Sequence, residues 1–214
     1  MKRSHGFTLI ELMVAIGVMA LIALLSWRGL DGMARSQEAT RARANAQMAL
    51  QTALAQWGTD LDAVMTLPNT TPIDWDGQVL RITRANSARP DPGALVVAWT
   101  RRGAGGVQQW LRWQSPPLRS RAEWSQAWEM AAQWARNPGE AERRGEVALL
   151  PLADWRLYYY RGGTWSNPQS SSTTNTATGA VTVAVPDGIR LELALPGGNI
   201  TRDWFNAVAG SNPQ

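Results

Sequence analysis

The first hydrophobic feature of the chain is a nearly unbroken apolar run from Leu9 to Trp27, in which Glu11 and Ser26 are the polar residues. A helix over residues 7–27 is about 31 Å long at about 1.5 Å per residue, which matches a hydrocarbon core of about 30 Å. The basic residues before the run favour a cytoplasmic N-terminus, with the rest of the chain across the membrane. We therefore predict a transmembrane helix over residues 7–27.

Beyond this run, apolar residues recur at three- and four-residue steps, which places them on one face of a helix. Pro68 ends the pattern, because proline removes a backbone donor and restricts the residue before it. We predict that the helix continues as an amphipathic helix over residues 28–65 and packs its apolar face on a globular domain. That face consists of Ala46, Leu50, Ala53, Trp57, Leu61 and Val64.

The remaining sequence alternates in the manner of β-strands, with one helical exception from Arg121 to Arg136. We interpret the tryptophans and alanines of that helix as a core-facing surface rather than a partner-binding patch. The polar stretch from Ser166 to Ala180 predicts a flexible loop. The predicted fold class is α+β, a long N-terminal helix packed on a mainly antiparallel sheet, with a β-rich domain over residues 66–210. The predicted strands cover residues 74–83, 94–101, 107–114, 146–152, 154–161, 181–185, 189–195 and 199–205.

The composition excludes several kinds of chemistry. The chain has no cysteine, and its only histidine is His5 at the N-terminus, so removal of that end excludes Ser-His-Asp and Cys-His catalysis and the usual zinc sites. The aspartates at positions 60, 62, 74 and 76 lack the ligand spacing of a calcium loop, and we interpret them as a helix-end charge pair and a turn. The net charge is +4, and the basic residues form no stripe along the sequence. This argues against a nucleic-acid partner despite the 12 tryptophans. We expect no catalytic residue, no cofactor and no metal.

Glu11 is the residue that an ordinary signal anchor does not explain. An acidic group inside the bilayer costs roughly 2.5–3.5 kcal/mol on insertion scales, and such groups usually have a partner. A cut between Gly6 and Phe7 would create an α-amino group close to Glu11, able to pair with this carboxylate in the same chain or in a neighbouring subunit. Three alternatives remain open on this evidence: a cleaved signal peptide, an uncleaved anchor, and a helix processed at Gly6.

Gly6-Phe7-Thr8-Leu9-Ile10-Glu11 resembles the processing motif of type IV pilins and pseudopilins. The resemblance implies that a prepilin peptidase removes the leader, residues 1–6, by cutting after Gly6, and that it methylates the new N-terminus at Phe7. It also implies that Glu11 pairs with the N-terminus of an adjacent subunit during assembly.

Two later stretches, residues 145–165 and 186–205, resemble the C-terminal strands of the J-type minor pseudopilin of type II secretion. This resemblance implies a tip component that primes pseudopilus assembly for the export of folded proteins across the outer membrane. The implied partners are the I- and K-type minor pseudopilins, the prepilin peptidase, the inner membrane and secreted proteins. The implied location is a single-pass inner-membrane protein with a periplasmic C-terminal domain, which joins the pseudopilus after cleavage.

Two other functions remain open. A minor pilin of a type IV pilus or a DNA-uptake system fits the same motif, although many such pilins carry a C-terminal disulfide loop and this chain has no cysteine. A signal-anchored periplasmic enzyme is the alternative from a different class. It predicts an intact N-terminus and a function that does not depend on Glu11.

Overall fold

A computed structural model describes residues 7–86, 93–104, 106–170 and 184–207. The chain divides into two units, residues 1–48 and 49–214. The predicted leader and most of the predicted loop over residues 166–180 lie outside the described residues.

The first unit is helical. Residues 9–48 belong to helix α1, Leu9–Asp62, which is not interrupted at Gly29 or Gly32. All its described side chains are exposed in the single chain. The long N-terminal helix predicted from the sequence is therefore confirmed.

The second unit contains two antiparallel sheets and a second helix. Sheet 1 has five strands that lie side by side in chain order, and sheet 2 has four strands in the order β7-β6-β8-β9. Helix α2, Arg121–Arg136, connects the last two strands of sheet 1, and a short 3-10 helix, Pro168–Ser170, follows β7. The strands of sheet 1 are β1 (Ile73–Trp75), β2 (Val79–Ala85), β3 (Ala94–Ala104), β4 (Val107–Gln114) and β5 (Glu146–Pro151). Those of sheet 2 are β6 (Asp154–Arg161), β7 (Thr164–Ser166), β8 (Gly188–Leu195) and β9 (Gly198–Phe205).

The larger core lies between the two sheets and the last turns of α1. Ala53, Trp57 and Leu61 of α1 are buried there, and Leu50 and Val64 are half-buried against it. These residues belong to the predicted apolar face, so the packing of its C-terminal part on a sheet is confirmed. Ala46 of that face is exposed, and α1 ends at Asp62 rather than at the predicted residue 65. Leu152, between β5 and β6, also belongs to this core. The strands add Ile73, Leu80, Ile82, Val97, Trp99, Trp110, Leu150, Trp155, Leu157, Tyr159, Ile189, Leu191 and Leu193.

Helix α2 covers the other face of sheet 1. Ala131, Trp134 and Ala135 are fully buried against that face, while Trp124 and Trp128 are half-buried and stack on each other with ring centroids 5.2 Å apart. The tryptophan face of this helix is thus a core surface, as predicted.

A capping box fixes the start of α2. The Ser120 hydroxyl accepts a hydrogen bond from the Glu123 backbone N–H, and the Glu123 carboxylate accepts from the backbone N–H of Ser120. The backbone N–H groups of Arg119 and Ser120 hold the pKa of Glu123 below its usual range. The helix therefore begins where its sequence supplies the cap.

Most predicted strands are present. The stretch predicted over residues 74–83 forms the hairpin β1–β2, and the next two strands pair as the hairpin β3–β4. The three-residue strand β7 was not predicted. The strand predicted over residues 181–185 is wrong at positions 184 and 185, which form no strand, and its other residues lie outside the described part of the chain. A three-residue strand is too short for an alternation to be recognised, and its pairing with β6 is a tertiary effect.

Candidate functional site

The start of α1 is closed by hydrogen bonds between Thr8 and Glu11. The Glu11 carboxylate accepts from the Thr8 backbone N–H at 3.0 Å and from the Thr8 hydroxyl at 2.8 Å. In return the Glu11 backbone N–H donates to the Thr8 hydroxyl oxygen at 3.4 Å. This is the reciprocal arrangement of a capping box, with Thr8 as the N-cap and Glu11 three residues later. The acid thus has hydrogen-bond partners within its own chain, before any neighbour is present.

The helix that follows Glu11 is apolar and exposed. Phe7 is 87% exposed, and Leu9, Leu25 and Trp27 are each more than two-thirds exposed. Within the described residues, α1 is the helix that is long and apolar enough to cross a membrane. Such a large apolar surface is stable only in lipid or against other helices. A single N-terminal apolar helix of this kind indicates membrane anchoring.

Three residues were predicted to form the processing and assembly site. Gly6, the last residue of the predicted leader, lies outside the described residues. Phe7 directly precedes the N-cap Thr8, and Glu11 lies in the first turn of α1. The pairing of a free Phe7 amine with Glu11 stays a prediction. Thr8 was not predicted as part of the site, although the spacing Thr-x-x-Glu before an apolar run is a sequence signal for a capping box.

A second carboxylate of α1, Asp60, lies in the second unit, which we call the globular unit, and is fully buried there. Arg112 of β4 donates from Nε to Asp60 Oδ2 at 2.7 Å and from Nη2 to Oδ1 at 2.9 Å. Arg84 of β2 also donates to Oδ1, and Trp99 of β3 donates from its indole nitrogen to Oδ2 at 2.9 Å. Three strands of sheet 1 therefore bind one carboxylate of the helix.

The environment of Asp60 corrects the sequence-based interpretation. Asp60 and Asp62 were interpreted as a charge pair at the helix end, but only Asp62 is exposed. Its carboxylate accepts a hydrogen bond from the indole N–H of Trp204 in β9 at 2.7 Å. The burial of Asp60 could not be predicted from the neighbouring sequence, because the two arginines that bind it lie 24 and 52 residues further along the chain. The end of α1 is therefore bonded to sheet 1 through Asp60 and to sheet 2 through Asp62.

The aspartates between β1 and β2 have structural roles. Asp76 Oδ1 accepts from the backbone N–H groups of Gln78 and Val79, at 2.9 and 2.8 Å, which stabilises the turn. Asp74 forms an ion pair with Arg81 across the hairpin. Among the described residues, no group of three or more His, Cys, Asp or Glu side chains is arranged to hold a metal ion. The interpretation of this stretch as a turn is confirmed.

These features describe a chain whose long N-terminal helix indicates membrane anchoring and packs its last turns on antiparallel sheets, an α+β architecture consistent with a pilin-like fold. A family model of the prokaryotic N-terminal methylation motif matches residues 1–27. The match covers the leader, Phe7, Glu11 and the apolar run, and this motif is the signal of type IV pilins and pseudopilins. It supports a pilin-like protein that is processed by a prepilin peptidase, associates with the membrane and assembles with other pilins. Proteins with this motif are typically structural subunits rather than enzymes.

Proposed function

We propose that this chain is a minor pseudopilin of the type II protein secretion system, of the J type, and that it acts as a non-enzymatic tip component. The observation that carries the proposal is the methylation motif at residues 1–27, continuous with a helix that packs on antiparallel sheets. The two stretches that resemble the J-type protein, residues 145–165 and 186–205, include β5, β6, β8 and β9 and most of β7. The resemblance therefore covers almost the whole of sheet 2.

The proposed mechanism begins with processing. The prepilin peptidase cuts between Gly6 and Phe7 and methylates the Phe7 amine, which leaves a cation near the carboxylate of Glu11. The capping box with Thr8 holds that carboxylate at the helix start. The amine of a neighbouring subunit then binds Glu11, while the apolar side chains over residues 7–27 pack between the helices of the filament.

The proposed location and partners follow from this mechanism. The precursor is a single-pass inner-membrane protein with its globular unit in the periplasm, and the processed chain joins a short periplasmic pseudopilus. Its neighbours there are the I- and K-type minor pseudopilins, and secreted proteins contact the tip. A minor pilin of a type IV pilus or a DNA-uptake system has the same processing and differs in its neighbours. The absence of cysteine favours the secretion system, because many type IV pilins carry a C-terminal disulfide loop.

Mass spectrometry of the mature N-terminus, on chain purified from its own cell membranes, tests the proposal. We expect a chain that begins with N-methylated Phe7. An intact Met1 would reject the pilin-like function and favour a signal-anchored periplasmic protein, including an enzyme. Where Phe7 is methylated, identification of the co-purified subunits decides between the two filament systems. Co-purification with pilus-type subunits alone would reject the secretion role.

A further inference from the structure

The strands at the sheet edges differ in how they are protected against pairing with another chain. β1 and β7 have three residues each, and β5 ends at Pro151 next to a register shift in its partner β4. Short length, bulges and prolines are common protections of an edge strand. β9 has none of these three: it has eight residues, pairs with β8 in unbroken register, and contains no proline. Its charged residues are Arg202 and Asp203, and Asp203 forms an ion pair with Arg190. Among the described strands, β9 thus presents the least protected edge.

The direction of the backbone groups of β9 follows from hydrogen bonds at the two ends of its partner strand β8. Asn206 N–H donates to the carbonyl of Asp187 at 2.9 Å, and Ala153 N–H donates to the carbonyl of Ala194 at 2.9 Å. The carbonyl of Ala194 is therefore directed towards β6 and away from β9. Because bonding alternates along an antiparallel pair, the even-numbered residues of β9 bond to β8, and the odd-numbered ones from Asn199 to Phe205 point their N–H and C=O groups outward. No described strand pairs with that outer side.

The side chains on one face of β9 determine which kind of strand could pair with this edge. Ile200 and Trp204 are half-buried against the core, and Trp204 is fixed by its hydrogen bond to Asp62. Arg202 lies between them on the same face, is exposed, and forms no ion pair with any described residue. An added antiparallel strand would place a side chain directly opposite Arg202 in a pair without hydrogen bonds, where the two Cα atoms are only about 4.5 Å apart. A carboxylate at that position would satisfy the arginine.

A second copy of β9 cannot supply this carboxylate. Two residues directly opposite each other in an antiparallel pair point to the same face of the sheet. Arg202 and Asp203 are consecutive and point to opposite faces, so no register of β9 against itself brings Asp203 opposite Arg202. Self-pairing centred on Arg202 would instead place two like charges opposite each other, which is destabilising.

We propose that the outer edge of β9 is a docking site for an extended strand of a different protein subunit, which bears an acidic residue opposite Arg202 and apolar residues opposite Ile200 and Trp204. The added strand extends sheet 2 by bonding to the outward groups of Thr201 and Asp203. Main-chain bonds supply affinity in such a complex, and the side-chain pairs supply specificity. The partner is taken to be another subunit of the same filament, and in that respect the inference rests on the proposed function.

Residue-resolved hydrogen exchange by mass spectrometry tests the main-chain contact. The purified full-length chain in detergent is compared with the same chain in the filament complex isolated from its cell membranes. We expect the amides of Thr201 and Asp203 to exchange at least about tenfold more slowly in the complex, and those of Ile200 and Arg202 to be slow in both samples. Equal exchange of Thr201 and Asp203 in the two samples would overturn the proposal.

Two pairs of variants test the specificity of the edge. Thr201→Pro removes an outward donor without removing a bond to β8, and Thr201→Val keeps the donor in an equally β-prone residue. We expect at least about tenfold less of the proline variant in the isolated complex, because the strand contact is lost, and wild-type recovery of the valine variant. Arg202→Glu should lower recovery similarly and Arg202→Lys should retain it, which keeps the test decisive if the proline variant does not fold. Wild-type recovery of Arg202→Glu would overturn the charge pairing.

The variant Thr201→Cys tests whether the added strand comes from a different protein or from a second copy of this chain. It introduces one cysteine into a chain that has none. We expect no disulfide-linked dimer of this chain in the oxidised complex, and such a dimer would overturn the proposal in favour of self-pairing. The outcomes remain separable from those for the proposed function. Methylated Phe7 with unprotected β9 amides rejects the docking edge alone. Intact Met1 rejects the proposed function, and exchange at Thr201 and Asp203 in whatever complex is recovered then decides the edge by itself.

Discussion

Two carboxylates of helix α1, Glu11 in the first unit and Asp60 in the second, have opposite surroundings. Glu11 is exposed in the single chain and accepts hydrogen bonds from Thr8 alone among the described residues. Asp60 is fully buried and binds the guanidinium groups of Arg84 and Arg112. The second unit therefore contains the cations that the buried Asp60 needs, whereas no described cation pairs with Glu11.

This difference indicates where each part of the helix finds its partners. Apolar side chains are buried within the chain in the second unit and are exposed in the first. Buried charges are usually paired, because an uncompensated charge in a medium of low dielectric constant is costly. Among the described residues, the apolar side chains of the first unit thus have no buried packing partner and Glu11 has no counter-ion, which is what a helix that assembles with other subunits requires.

Removal of the Asp60 carboxylate should have the largest effect on stability. Asp60→Ala leaves Arg84 and Arg112 close together without their shared counter-ion, and breaking a buried pair in this way costs about 3–5 kcal/mol. Urea unfolding of the full-length chain in detergent, followed by tryptophan fluorescence, measures the loss. Asp62→Ala is the matched control, because Asp62 is exposed and its single bond to Trp204 is worth about 1 kcal/mol. Equal losses in the two variants would show that the buried cluster contributes no more to stability than the exposed hydrogen bond of Asp62.

Removal of the Glu11 carboxylate should act on assembly instead. We expect Glu11→Ala to insert into the membrane normally and to enter the filament complex roughly tenfold less, since contacts of this kind between membrane helices are worth about 1–2 kcal/mol. Quantitative mass spectrometry of membranes and of isolated complex measures both steps. Glu11→Gln separates the two roles of this residue, because the amide can still accept from Thr8 but carries no charge. Undiminished assembly of both variants would contradict the pairing with Phe7.

The contrast between the two acids also shows how far the sequence predicts this molecule. The apolar run, the tryptophan helix and most strands were predictable, because each depends on spacing within one element. Glu11 stood out because an acid in an apolar run has no local explanation. Asp60 did not, because an aspartate near a helix end is usually solvated, and its burial depends on Arg84, Trp99 and Arg112 in three separate strands. The edge of β9 was equally invisible, because strand order is a tertiary property.

Substitution of Thr8 should have a smaller effect than substitution of Glu11, and it should act on the stability of the helix start. Thr8→Ala removes the side chain that caps the first turn, which costs about 1 kcal/mol of helix stability, and Thr8→Ser keeps the cap. Hydrogen exchange of the first-turn amides in detergent should be roughly fivefold faster in the alanine variant, by the same free energy, and unchanged in the serine variant. Unchanged exchange in Thr8→Ala would show that the capping box does not hold Glu11 in place.

A third acid, Asp203, is intermediate in exposure between Glu11 and Asp60. Its substitution should have the smallest effect of those predicted for these residues. It accepts two hydrogen bonds from Arg190, each 2.8 Å long, and both side chains are about one-third exposed. The hydrogen bonds from Arg190 lower the pKa of Asp203, and the positive charge of Arg190 lowers it further. A folded-state pKa below the unfolded value of about 3.9 stabilises the fold above that pH, and the stabilisation is lost as the pH falls through the folded-state pKa.

Asp203→Asn should therefore destabilise the fold by at most about 1 kcal/mol near neutral pH, because solvent screens an ion pair that is this exposed. The difference in urea unfolding free energy between wild type and variant should shrink as the pH falls through the folded-state pKa of Asp203 and disappear below it, where the aspartate is protonated in both states. A difference that stays constant with pH would assign the effect to packing around Arg190 and Trp165, whose ring lies 4.4 Å from the guanidinium carbon. In that case Glu11 would act through assembly, Asp60 through its buried ion pairs, and Asp203 through packing without a contribution from its charge.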